Sequence, residues 1–131
     1  MIEGSVNAAH EAVVGLVVRG PSGRTRDVRA VVDTGFSRFL ILPPSIVTEL
    51  GLTYRTVDRF YLADGSEVTL DVYAATVLWD GWPRDIDVLA ADTQPLMGMA
   101  MLNGHDLHVE VEDGGRVAIE RRTAEPSTPR R

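Results

Sequence analysis

The chain has 131 residues, of which 44% are apolar, 13 are basic and 19 acidic, giving a formal charge of −6 and a pI near 4.9. That length fits one domain with enough apolar residues for a real core. The acidic balance argues against a general nucleic-acid binder and against docking on an anionic membrane, because both need basic surface. No cysteine is present, which removes disulfides, thiol nucleophiles and Cys-based zinc sites. No basic segment followed by an apolar run opens the chain, and no apolar stretch nears the ~18 residues of a membrane span. The expected compartment is the cytoplasm.

In chain order, Val13 to Val18 is rich in β-formers and ends on the turn cluster Arg19-Gly20-Pro21-Ser22-Gly23. Val28 to Asp33 is a second strand, expected to form a hairpin with the first. Arg38 to Leu42 is a third, ended by Pro43-Pro44. Pro44 suits the first turn of a short helix through Leu50, and Gly51 suits the left-handed residue that closes it. Val57 to Leu62 and Glu67 to Trp79 read as strands joined through Ala63-Asp64-Gly65-Ser66, since Asp-Gly between β runs is a hairpin signal. Val68, Leu70, Val72 and Ala74 are expected on one face of the longer strand. Asp80-Gly81-Trp82-Pro83 is a second hairpin signal, and Asp85 to Leu89 alternates polar with apolar. Met99 to Asn103 reads as one or two helical turns stopped by Gly104. Leu107 to Val111 and Val117 to Glu120 form a closing hairpin across Asp113-Gly114-Gly115. Residues 1–11 are read as an N-terminal segment, 12–121 as the domain and 122–131 as a disordered polar tail. Many short strands, two small helices and regular turns predict a mostly β, barrel-like domain.

Val31-Val32-Asp33-Thr34-Gly35 carries the most information. An apolar strand running into Asp-Thr-Gly can hold one carboxylate on a tight, backbone-supported loop. Only one such triplet occurs in the chain, which points to a half-site completed by a second copy.

With this run the chain resembles the retropepsin-like aspartic proteases. Four features carry the resemblance over roughly residues 12–121: Asp33-Thr34-Gly35 after its strand, the turn Ala63-Asp64-Gly65-Ser66, the apolar pair and glycine Leu96-Met97-Gly98, and the short helix and terminal strand after that glycine. Gly98 lies 65 residues beyond Asp33, a spacing typical of one retropepsin lobe. The chain is similar in particular to the small prokaryotic branch, whose Asp-Thr-Gly-Phe, Leu-Pro and Leu-Leu-Gly-Met-like motifs read here as Asp33-Thr34-Gly35-Phe36, Leu42-Pro43 and Leu96-Met97-Gly98-Met99.

The resemblance implies a closed β-barrel lobe of the acid protease fold, a homodimer, and an aspartic endopeptidase acting on extended peptides or proteins without a cofactor. Asp33, Thr34 and Gly35 would be the catalytic residues. Ala63, Asp64, Gly65 and Ser66 would form the flap tip. Phe36, Leu96, Met97 and Gly98 would support the loop. Phe36 departs from the better-known members, which carry Ser, Thr or Ala there. Its ring points into the core with Ser37 displaced by one, or it narrows the site. A non-catalytic peptide- or protein-binding module on the same fold is the alternative.

The other polar residues invite less. His105 and His108 flank Asp106, but their spacing puts them on opposite faces of a strand, so no metal site is expected. Asp85 and Asp87 read as a solvated face, and Trp79 and Trp82 as packing across a hairpin.

Overall fold

The computed structural model describes residues 1–123, so the part of the expected tail from 124 to 131 lies outside the described residues. Among the described residues, ten strands and two short helices follow in order: β1 Ile2–Val6, β2 Ala12–Arg19, β3 Thr25–Val32, β4 Leu40–Leu42, α1 Pro44–Glu49, β5 Thr53–Tyr61, β6 Glu67–Trp79, β7 Trp82–Ala90, β8 Leu96–Met97, α2 Met99–Leu102, β9 His105–Val109 and β10 Arg116–Arg121. The fold is mostly β, as expected. Among the described residues no helix is long and apolar enough to cross a membrane.

The strands form one sheet in the order β5-β6-β7-β4-β8-β3-β2-β1-β10-β9, and β6 pairs with β2 as well. That extra pairing makes a ring of β2, β3, β8, β4, β7 and β6. Alternation explains why these segments are strands. In the β2–β3 hairpin Val14 faces Ala30 and Leu16 faces Val28; all four are buried, while Asp27 and Arg29 point out. Inside the ring, Val14, Val18, Leu40, Leu42, Val77, Val88, Met97 and Met101 are almost fully buried. Each such side chain contributes about 1.5–3 kcal/mol relative to exposure.

On β6 the buried side changes. Val72 is buried and Val68 and Leu70 half-buried at even positions, whereas Ala75, Val77 and Trp79 are buried at odd ones. The first half of this long strand therefore packs on the smaller cluster through one face, and the second half fills the ring through the other. A second, smaller cluster lies on the hairpin side, where Ile41, Val72 and Leu89 pack with Phe36, Phe60, Leu70, Ala91 and Leu96.

Several boundaries differ from the sequence reading: β7 already begins at Trp82, β9 runs His105–Val109 where Leu107 to Val111 was expected, and three further differences involve β1, β4 and β5. β1 was not expected, yet it pairs with β2 on one side and β10 on the other. β4 is shorter than expected because the carbonyls of Phe36, Arg38 and Phe39 accept N–H groups from Met99, Ala100 and Gly98; those residues serve the helix entry instead of a strand. β5 starts at Thr53, with Arg55 as an extra, bulged residue between Tyr54 and Thr56. Arg84 ties β7 to α2, donating to the carbonyls of Met101 at 3.0 Å and Ala100 at 3.4 Å. Partial burial of its guanidinium lowers its pKa.

Candidate active site

β3 delivers Asp33 to a loop that the rest of the chain clamps from behind. β8 runs parallel to β3 and antiparallel to β4, filling the gap between them. The N–H of Val31 donates to Pro95 at 2.9 Å and that of Asp33 to Met97 at 2.8 Å. The turn then closes on itself, with the Phe36 N–H on the Asp33 carbonyl at 3.1 Å. The Gly35 N–H donates to Oδ1 of Asp33 at 3.0 Å and so orients the carboxylate. Asp33 is half-buried, while Thr34 and Gly35 are exposed.

Gly98 is buried directly behind this loop. Its N–H reaches the Phe39 carbonyl at 2.9 Å and the next N–H, from Met99, reaches Phe36 at 2.8 Å. A Cβ on Gly98 would overlap the Arg38 carbonyl oxygen and lie 2.5 Å from Cδ2 of Phe36. Only a glycine lets the two backbones approach this closely. Asp33, Phe36, Leu96, Met97 and Gly98 are thus brought together.

The β5–β6 hairpin carries Ala63, Asp64, Gly65 and Ser66 at its tip, all exposed. Gly65 takes φ +84°, and its N–H closes the turn on Leu62 at 2.9 Å. This three-residue loop with a left-handed glycine is a common hairpin connection. Oδ1 of Asp64 accepts both the Ser66 hydroxyl at 2.6 Å and the Ser66 N–H at 2.8 Å. Those two donors, the hydroxyl first, hold the Asp64 carboxyl below the usual aspartate range. Tyr61, 73% exposed, and Leu62 flank the tip.

Phe36 resolves between its two expected orientations. It joins Phe60 and Leu70 of the hairpin and Leu96 of β8 in the smaller cluster, outside the main core. Ser37 stays exposed. The ring therefore lies against Gly98 and the smaller cluster of Ile41, Val72 and Leu89.

Two residues beside the site were missed from sequence. Arg38 donates through Nε to Oδ2 of Asp58 at 3.1 Å, with Nη2 of the same guanidinium in ion-pair contact at 3.1 Å, and its guanidinium lies 5.5 Å from the Phe60 ring centre. The available signal was a lone arginine inside the apolar run from Phe36 to Leu42. The remaining polar candidates are engaged elsewhere. His105 bonds Asn103 through Nδ1 at 3.0 Å and accepts the Trp79 indole N–H at 3.1 Å. Among the described residues no group of three or more His, Asp or Glu could hold a metal ion. Asp85 accepts the Thr76 hydroxyl and Asp87 pairs with Arg55. Trp79 is buried, whereas its register partner Trp82 is 76% exposed.

No family model matches the chain, and no curated protein matches it in sequence. Solved structures do match. EIAV protease in complex with the inhibitor HBY-793 aligns over 73% of this chain and 88% of its own, with a TM-score of 0.57 at 15% identity. A retropepsin-like aspartic protease from Rickettsia conorii aligns over 93% of this chain and 91% of its own, with a TM-score of 0.56 at 16% identity. The fold is the retropepsin fold. At these identities the likeness fixes the path of the chain and leaves the chemistry to the residues. On this retropepsin framework the Asp33 loop offers a carboxylate oriented by the Gly35 N–H. One carboxylate can accept a proton or donate one, but it cannot do both in the same step.

Proposed function

We propose that the protein is an aspartic endopeptidase that works as a homodimer, with each chain giving Asp33 to a shared dyad. The observation that carries this reading is the Asp33 loop itself: a carboxylate oriented by the Gly35 N–H and clamped by Met97 and Gly98, in a retropepsin fold. Two carboxylates about 3 Å apart do not both ionise, so they hold one proton between them. The ionised member takes a proton from a water held between the two. The protonated member donates to the carbonyl oxygen of the scissile peptide. The attacking oxygen bonds to the carbonyl carbon; then the C–N bond breaks as the nitrogen takes the proton held by the first carboxyl and a hydroxyl of the adduct returns one to the second, so the amine leaves and the dyad again holds one proton. The two-fold axis of an isologous dimer brings the second Asp33.

Thr34, exposed beside Asp33, would bond across that axis to the partner's loop and hold both carboxylates. Ala63, Asp64, Gly65 and Ser66 would form the tip of a lid that admits an extended peptide and then excludes water. The peptide would lie as an added strand between lid and loop. Residues 12–121 would carry the protease domain, with β1 added to its sheet between β2 and β10. The motif Asp33-Thr34-Gly35-Phe36 and the coverage of the Rickettsia conorii structure support membership of the small prokaryotic branch.

Replacing Asp33 by Asn should abolish cleavage of a peptide library while leaving the thermal unfolding curve in place. Mass spectrometry of timed digests makes the measurement, and an Asn variant that still cuts would sink the reading. One observation favours a second reading, a peptide-binding module without chemistry. Phe36 sets a half-buried aromatic ring directly after the Asp33-Thr34-Gly35 turn, where the better-known retropepsins carry a small residue. In that case the same digests would contain bound but uncut peptide, and Asp33→Asn would leave its affinity nearly unchanged.

A further inference from the structure

Arg38 connects two parts of the molecule that the backbone leaves apart. Its main chain belongs to the rigid side. The Arg38 carbonyl accepts the Ala100 N–H at 3.2 Å and packs against Gly98, five residues beyond Asp33 on the same loop. Its side chain crosses to the hairpin, where Nε–H donates to Oδ2 of Asp58 and the guanidinium pairs with that carboxylate and faces Phe60. Asp58 is oriented to receive it, because its other oxygen accepts the Arg59 N–H at 2.9 Å.

The hairpin needs such a tie. β5 is an outer strand of the sheet and pairs only with β6. At Arg55 it bulges, and there a second ion pair, Arg55 with Asp87 at 3.4 Å, holds it to β7. Beyond the bulge, β5 is attached through β6, through Phe60 in the smaller cluster, and through Arg38.

We propose that Arg38 is the latch of this hairpin: a positioning residue that sets how often residues 56–70 lift away from the Asp33 loop, without touching the reacting atoms. The proposal rests on the reading of the hairpin as a lid. An exposed ion pair adds little to global stability. Lifting an edge hairpin is a local opening, however, and local openings cost far less than unfolding. One charge-assisted hydrogen bond within an ion pair, together with a cation–π contact, is then a large share of what keeps it shut.

Hydrogen exchange of the full-length protein tests this without requiring turnover. Arg38→Gln should speed exchange of the amides between Thr56 and Leu70 about tenfold, with β2 and β3 unchanged. Asp58→Arg alone should do the same. The double variant Arg38→Asp/Asp58→Arg should return the hairpin most of the way to the wild-type rate, which loss of packing alone would not allow. Wild-type exchange in Arg38→Gln would overturn the latch. So would a double variant as fast as the singles, or acceleration that spreads equally into β2 and β3. A protein that cuts nothing would defeat the peptidase reading and leave this result standing. An inert Arg38 would leave the Asp33 dyad untouched.

Discussion

Behind the Asp33 loop, Gly98 faces the Arg38 carbonyl so closely that any side chain must displace backbone. Backbone held by hydrogen bonds from Gly98, Met99 and Ala100 cannot give way as the end of a flexible side chain would. Gly98→Ala should therefore cost about 3 kcal/mol, the upper part of the range for overpacking. Gly15 is the control, because a Cβ there meets nothing within 4 Å; Gly15→Ala should stay within about 0.5 kcal/mol. Urea denaturation of the two variants makes the comparison, and equal midpoints would refute the steric account. At this scale the sequence was informative where chemistry demands one residue type. Asp33-Thr34-Gly35 and Leu96-Met97-Gly98 each stand out because a carboxylate, a tight turn and a close backbone approach narrow the choice. The Arg38–Asp58 pair stayed hidden because its partners lie on different elements, and charged residues on strands are ordinary.

Elements were legible wherever apolar periodicity and turn residues agreed, as in β2, β3, β6 and the hairpin turn at Asp64-Gly65. β1 was not, since Ile2 and Val6 are its only apolar side chains and Gly4 between them reads as a weak strand former. Its place is fixed by neighbours on both sides, β2 and β10, which no local pattern reveals. The Thr53–Thr56 stretch of β5 was missed for a related reason: all four residues are exposed, so burial leaves no alternation. The hairpin tip does carry a readable consequence. Asp64 has a folded-state pKa held below the ordinary 3.8 by the Ser66 hydroxyl and N–H. A depressed carboxyl pKa stabilises the turn above the unfolded value, and the contribution is lost as pH falls through the folded value. The tip should thus keep its geometry through the mildly acidic range and should loosen only below pH 3.8. NMR titration of the Gly65 and Ser66 amides should show a midpoint below 3.8 that Ser66→Ala moves back toward it. A midpoint insensitive to Ser66 would show that these bonds do not hold the turn in solution.

For the whole molecule, one Asp33 per chain makes stoichiometry the decisive property. If each active site needs two carboxylates, a dimer containing one Asp33→Asn chain has one proton-transfer group where two are required, and it is dead. Mixing wild type and variant in equal amounts and letting subunits exchange leaves about one quarter of the dimers fully wild type. Sites confined to single chains would instead keep about half of the total. Activity per wild-type chain should therefore fall by about half on mixing, and should fall again on dilution as dimers separate. Each chain carries −6, so the two copies repel at long range. Salt near 0.15 M screens charges more than about 8 Å apart and should strengthen association. Sedimentation equilibrium of the mixed and unmixed samples gives the dimer population against which the rates are read. Unchanged activity per wild-type chain in fully exchanged dimers would rule out the shared dyad. The halving together with the dilution effect would require that one Asp33 from each copy meets in every working site.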